Sequence, residues 1–217
     1  MKPEPIMFNK DSHYRNKAQY PVNEEGKAGF FATHSHRIIP NNNCYLQPVI
    51  FGNLVKAVEN WIEKYSISIY NEEKHQGLLR HIYIRQGEKT KEIMVVLVIN
   101  GEILPYADEL ILALKEIASD ELKSVQININ TADTNVILGE KCVTLFGSDY
   151  ITDILCGVKI RLSPLSFYQV NRNQAEKLYN IAKDCARLNQ DDVLLDLYCG
   201  TGTIGIYMSK YVHKVIG

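Results

Sequence analysis

The sequence predicts an α+β domain followed by the opening of a doubly wound α/β unit, and three stretches carry that reading. Between residues 125 and 162, five short apolar segments (125–129, 135–138, 143–146, 151–155 and 158–162) alternate with turn residues at regular spacing, as strands do. From 172 to 189, Ala175, Leu178, Tyr179, Ala182, Cys185, Ala186 and Leu188 recur at three and four positions, the period of a helix. That helix leads to an apolar Val193, Leu194, Leu195, an acid at Asp196, and a glycine turn at Gly200 and Gly202, after which 204–212 again has helical spacing. Strand, glycine turn and helix in that order begin a Rossmann-like α/β domain, whereas the block from about 30 to 160 is α+β with mainly antiparallel pairing. The boundary is expected near 160, giving a central α+β domain over 1–160 and the incomplete start of the second domain over 161–217.

Composition narrows the class without choosing a function. A chain of 217 residues with 46% hydrophobic and 23% charged residues can bury a core. Its formal net charge of −1 shows no global commitment to nucleic acid, so RNA binding has to be argued from local clusters. No apolar run approaches the roughly 20 residues of a membrane span, and the polar first ten residues lack a signal-peptide core, so no membrane partner and a cytoplasmic setting are expected. The five cysteines, Cys44, Cys142, Cys156, Cys185 and Cys199, are odd in number and contain no C-x-x-C pair, which predicts reduced thiols. The sequence stops on Val215, Ile216 and Gly217, a strand just completed. A doubly wound sheet needs further strands, so the chain is expected to be a piece of a longer protein.

Taken in order, residues 1–29 hold Pro3, Pro5, Pro21, Gly26 and Gly29 and predict extended and turn structure. Within them His13, Tyr14, Arg15, Asn16 and Lys17 mix cations with an aromatic; Arg15 and Lys17 suit an RNA backbone, or simply water. Residues 30–39 alternate loosely and end in a turn at Pro40 and Asn41 to Asn43. An amphipathic helix is predicted over 47–65 from Val49, Leu54, Val55, Val58, Trp61 and Ile62. Cys44 before it is either a small buried hydrophobe or one ligand of a cluster. Residues 77–87 alternate, with His81, Tyr83 and Arg85 on one face and Ile82 and Ile84 on the other; the polar row is expected to meet water or RNA. A turn at 87–90 folds this strand back on 93–99, and Pro105 opens a helix to about Ala118. Ser163 and Pro164 break the strand series, and Asn171 is a suitable cap for the helix that follows.

The glycine turn fits more than one cofactor. Its letters spell the G-x-G-x-x-G of dinucleotide binding through Gly200, Gly202 and Gly205, with helix N–H groups beyond. Asp196, four residues before Gly200, would face a pyrophosphate at short range, which is unfavourable. The same carboxylate favours a ligand carrying an ammonium and a sulfonium, such as S-adenosylmethionine. Two plainer readings stay open: Asp196 ties down the loop by accepting N–H bonds, and Cys199 is a packed small residue rather than a nucleophile.

The segment Ser166, Phe167, Tyr168, Gln169, Val170, Asn171 resembles the S-F-[FY]-Q-V-N signature of the S-adenosylmethionine-dependent RNA (uracil-5-)-methyltransferases. Asp196 to Gly202 is similar to that family's first methyltransferase motif. Tyr14 to Lys17, Gly77 to His81 and Asn135 to Gly139 resemble further family blocks in the expected order, most like the members acting on 23S ribosomal RNA. The resemblance implies that Gln169, Tyr198 and Thr203 contact the methyl donor and that Phe167 packs against an extruded uracil. It also implies a thiolate adding to carbon 6, methyl transfer to carbon 5, and a carboxylate base that removes the carbon-5 proton. The cysteine nucleophile and the base belong to family motifs absent from this chain, and none of its five cysteines sits in the nucleophile motif. By the same resemblance Cys44 matches the fourth ligand of an iron–sulfur cluster whose other three cysteines are absent here; a cluster is expected only in a longer protein.

The expectation is therefore a fragment of an RNA (uracil-5-)-methyltransferase, inactive alone. Its candidate residues are Gln169, Asp196, Tyr198, Gly200, Gly202 and Thr203 for the cofactor, and Phe167, Arg15, Lys17, His81 and Arg85 for ribosomal RNA. The alternatives are a non-enzymatic RNA-binding module and a piece of a nicotinamide-linked oxidoreductase.

Overall fold

A computed structural model describes residues 6–7 and 10–217. In chain order the strands and helices are β1 (Lys17–Pro21), β2 (Gly29–Phe31), β3 (Ile38–Pro40), α1 (Val49–Tyr65), β4 (Leu79–Gln86), β5 (Ile93–Ile99), α2 (Ala107–Ala118), β6 (Leu122–Ile129), β7 (Lys141–Gly147), β8 (Ile151–Leu155), β9 (Val158–Leu162), α3 (Arg172–Ala186), β10 (Val193–Leu195), α4 (Thr203–Met208) and β11 (Lys214–Ile216). A five-stranded sheet in the order β1-β4-β5-β6-β7 forms the centre. Its pairings are antiparallel except β5 with β6, which α2 joins as a parallel crossover.

Side-chain alternation gives this sheet two faces. Ile82, Ile84, Val95, Leu97, Val125 and Ile127 meet α1 and α2 in one apolar cluster. There Trp61, 3% exposed, donates its indole N–H to the Tyr106 carbonyl at 2.9 Å, so the largest ring of α1 is buried with its polar atom satisfied. Tyr83, Met94 and Val96 face the other way, into a second cluster with the β8–β9 hairpin, Tyr168, and Ala175 and Tyr179 of α3. Arg172, 1% exposed, ties α3 to that hairpin by donating Nε–H to the Ile154 carbonyl at 2.5 Å while its guanidinium pairs with Glu176.

Beyond α3, β10 and β11 pair in parallel across α4. This parallel βαβ step, behind a mixed sheet, is the opening of a Rossmann-like arrangement. Gly205 makes the step possible: a Cβ there would lie 3.0 Å from Cγ1 of Val215 and 3.4 Å from Oδ2 of Asp196. α4 therefore packs directly on the strand beside the acid.

Three sequence expectations are corrected. Residues 135–138 form a loop rather than a strand, because the Asn130 side chain donates to the Val136 and Ile137 carbonyls at 2.7 and 3.0 Å and captures the groups a ladder would use. The helix expected over 204–212 ends at Met208, and a 3₁₀ turn leads to an extended Val212 so that the chain can enter β11. The row of His81, Tyr83 and Arg85 is buried, at 5%, 0% and 1% exposed, because its face of β4 is covered rather than left to solvent.

Candidate functional site

The segment 163–171 is anchored along its length and turns Phe167 outward. Arg85 donates its two terminal nitrogens to the Ser163 carbonyl at 2.8 Å and the Ser166 carbonyl at 2.7 Å. The Tyr168 hydroxyl donates to the fully buried Asp153 carboxylate at 3.0 Å. Burial, with Asp153 beside it, pushes the Tyr168 phenol well above its usual range, so it remains a donor. Asn16 donates its side-chain amide to the Gln169 carbonyl at 3.0 Å and its backbone N–H to the Val170 carbonyl at 2.9 Å. With Tyr168 inward, alternation turns Phe167 outward at 69% exposed, and the Gln169 side chain makes no hydrogen bond among the described residues.

The glycine turn lies against this segment: Thr201 Oγ1 donates to the Phe167 carbonyl at 3.4 Å. Gly200 and Gly202 both take positive φ, at 55° and 72°, which L side chains adopt only with strain, and a Cβ on Gly200 would meet nothing within 4 Å. Space thus opens in front of the turn. Tyr198 stands 97% exposed beside it. Thr203 is held from behind, its hydroxyl 3.1 Å from the hydroxyl of Tyr179.

Asp196 bears on the two readings left open by the sequence. Its backbone N–H continues the β10–β11 ladder to the Ile216 carbonyl at 2.8 Å, but its carboxylate accepts no N–H from the loop. Oδ2 is buried and has no partner among the described residues. Oδ2 faces the Gly205 position of α4, while the open space lies at Gly200; a carboxylate at the base of such a turn suits a cationic ligand and repels a pyrophosphate. Cys199 is half-buried in the same turn; its carbonyl accepts from Gly202 N–H at 2.7 Å and its side chain packs toward Gly217.

On the central sheet, Arg15 and Lys17 line a groove of about 420 Å³ together with Phe30, Cys44 and Leu46. Burial, followed by the neighbouring Arg85 and Arg15 charges, lowers the Lys17 ammonium pKa. His81 lies elsewhere on β4, its ring without a hydrogen-bond partner among the described residues and its pKa pushed down to about 4 by burial and by Arg80. Cys44 is a free, half-buried thiol, and among the described residues it joins no group of three potential metal ligands. These residues do not fit an iron–sulfur cluster by themselves.

The structure therefore joins the Phe167–Gln169 stretch to the Asp196–Thr203 turn and leaves His81 apart. Sequence reasoning missed Asn16, Asp153, Tyr168 and Thr201, which set the geometry. Only a short polar residue between two cations, at Asn16, hinted at an inward-facing role.

Against this geometry, the tRNA (uracil-5-)-methyltransferase family model matches residues 2–217. The chain belongs to that family. Among relatives, an uncharacterised RNA methyltransferase of Clostridium tetani is 44% identical over 207 residues, covering 94% of this chain and 45% of that protein. One from Clostridium acetobutylicum is 43% identical over 208 residues, with the same coverage of 94% and 45%. The crystal structure of Pyrococcus abyssi tRNA (uracil-54, C5)-methyltransferase in complex with S-adenosyl-L-homocysteine superposes with a TM-score of 0.77 at 26% identity, over 93% of this chain and 47% of that one. The chain spans less than half the length of each of these family members. Among the described residues no helix is long and apolar enough to cross a membrane.

Proposed function

We propose that the chain is the cofactor-binding and RNA-contacting part of an RNA (uracil-5-)-methyltransferase that uses S-adenosylmethionine to methylate carbon 5 of a uridine in ribosomal RNA. The observation that carries the reading is the unpaired Asp196 carboxylate at an open glycine turn, tied through Thr201 to the segment that presents Phe167 and Gln169. When bound, S-adenosylmethionine supplies an electrophilic methyl group on a sulfonium. Asp196 offsets that ligand's positive charge, and the free Gln169 amide donates to and accepts from its zwitterionic end. Gly200 and Gly202 keep the turn clear, while Tyr198 and Thr203 line it. Phe167 replaces the stacking a uracil loses on leaving its helix, and Arg15 and Lys17 hold phosphates over the groove beside β1.

Arg85 supports the segment from beneath it, through the carbonyls of Ser163 and Ser166, rather than by touching RNA. None of the five cysteines is assigned as nucleophile, so the chain by itself transfers no methyl group. Ribosomal RNA is favoured over transfer RNA by the sequence blocks at Tyr14 to Lys17, Gly77 to His81 and Asn135 to Gly139, and by the presence of Cys44 in the lining of the groove beside β1.

The test offers labelled S-adenosylmethionine with 23S ribosomal RNA or transfer RNA to the protein at the length of its curated relatives and to this chain alone. Label at carbon 5 of uridine in ribosomal RNA, from the longer protein only, is expected. Label confined to transfer RNA would overturn the substrate, and product from this chain alone would overturn its predicted inactivity.

A further inference from the structure

Asn16 occupies an unusual junction. It lies between Arg15 and Lys17, the two cations of the β1 groove, yet alternation turns it inward to 3% exposed while its neighbours stay partly open. Three bonds leave it. Its carbonyl accepts from Gln86 N–H at 2.9 Å, next to Arg85; its N–H donates to the Val170 carbonyl at 2.9 Å; and its side-chain amide donates to the Gln169 carbonyl at 3.0 Å. The remaining polar atom, Oδ1, is buried without a partner among the described residues. The amide is thus held from one side only, by the carbonyl of Gln169, whose own side chain makes no hydrogen bond among the described residues.

We propose that Asn16 is a positioning residue that couples RNA held at Arg15 and Lys17 to the placement of Gln169. This rests on the assignment of those cations to RNA and of Gln169 to the cofactor. Phosphates drawn onto Arg15 and Lys17 pull on the two peptide units that flank Asn16. Its amide passes that displacement to the Gln169 backbone without any contact between RNA and the cofactor. By linkage the effect is reciprocal: a cofactor that fixes Gln169 favours the strand position that binds RNA. No covalent step is involved.

The coupling is read by nuclear magnetic resonance on the isotope-labelled chain, titrated with a short oligoadenylate. The chain carries Phe167→Ala, so that no base stacks beside Gln169. The amides of Arg15 and Lys17 are expected to shift, and that of Gln169 to shift along the same saturation curve. Adding Asn16→Ala should leave the first response and weaken the second, the backbone bond to Val170 surviving, and Asn16→Ser, which restores a donor, should recover part of the loss. The Ser variant also keeps the test open if the Ala variant fails to fold. Gln169 silent in the Asn16-containing chain while Arg15 and Lys17 respond, or equally responsive with Ala at position 16, would overturn the coupling. No response at Arg15 and Lys17 would instead sink the RNA assignment beneath it.

Discussion

His81 and Arg85 show how single side chains were misplaced by pattern alone and what their burial costs. Alternation along β4 correctly put them on one face with Tyr83, but periodicity says nothing about whether that face is covered. In the fold β4 is flanked by β1 and β5 and packed on both sides, so His81 is held neutral, its pKa lowered from the ordinary 6.5 to about 4. An unfolded chain then binds more protons than the folded one between those two values, and stability falls as pH drops from 6.5 to about 4. The loss attributable to this ring is on the order of 3 kcal/mol at the acid end. Urea unfolding at a series of pH values should show it, and His81→Phe should flatten the curve in that window. An unchanged acid slope would contradict the assignment. Arg85→Met should cost about 3 kcal/mol, because two charge-assisted hydrogen bonds are lost and the Ser163 and Ser166 carbonyls are left without that donor. The same denaturation experiment reads it. Phe167, Gln169 and Tyr198 were named by motif resemblance alone, since exposed aromatics such as Phe167 and Tyr198 have no periodic signature of their own.

At the scale of elements, strong apolar periodicity was legible and local capture of the backbone was not. β4, β5, α1, α2, β8, β9 and α3 stand where their spacing places them, with ends moved by a few residues. The loop at 135–138 escaped because Asn130, five residues before it, bonds its carbonyls, and a side chain's choice of partner is not written in hydrophobic spacing. α4 is shorter than its pattern because β11 must return to pair with β10, a tertiary demand. The cap of α3 was legible: Asn171 Oδ1 accepts from Gln174 N–H at 3.1 Å. Asn171→Ala should therefore lower stability by about 1 kcal/mol. Thermal melting checks it, and because α3 carries Tyr179 behind Thr203, the variant should also weaken cofactor binding modestly.

For the whole molecule, the sheet with α1 and α2 on one face leaves the other to receive β8–β9, Tyr168 and α3, and this second cluster carries the segment that meets the glycine turn. Order along the chain foretold this sequence of parts. That Arg85, Asn16 and Asp153 would bind the parts together was illegible, since each bond spans between 15 and 153 positions. Val193, Leu195, Leu197 and Ile216 are exposed around β10 and β11. The central claim is that the Asp196 turn and the Phe167–Gln169 segment form one site for a cationic methyl donor. Competition for labelled S-adenosylmethionine, in the protein at the length of its curated relatives, tests it most directly. The account predicts displacement by S-adenosylhomocysteine but not by NAD. It also predicts affinity lower by about 10- to 100-fold in Gln169→Ala, the worth of a hydrogen bond to a charged group. Displacement by NAD, or undiminished affinity in that variant, would contradict it.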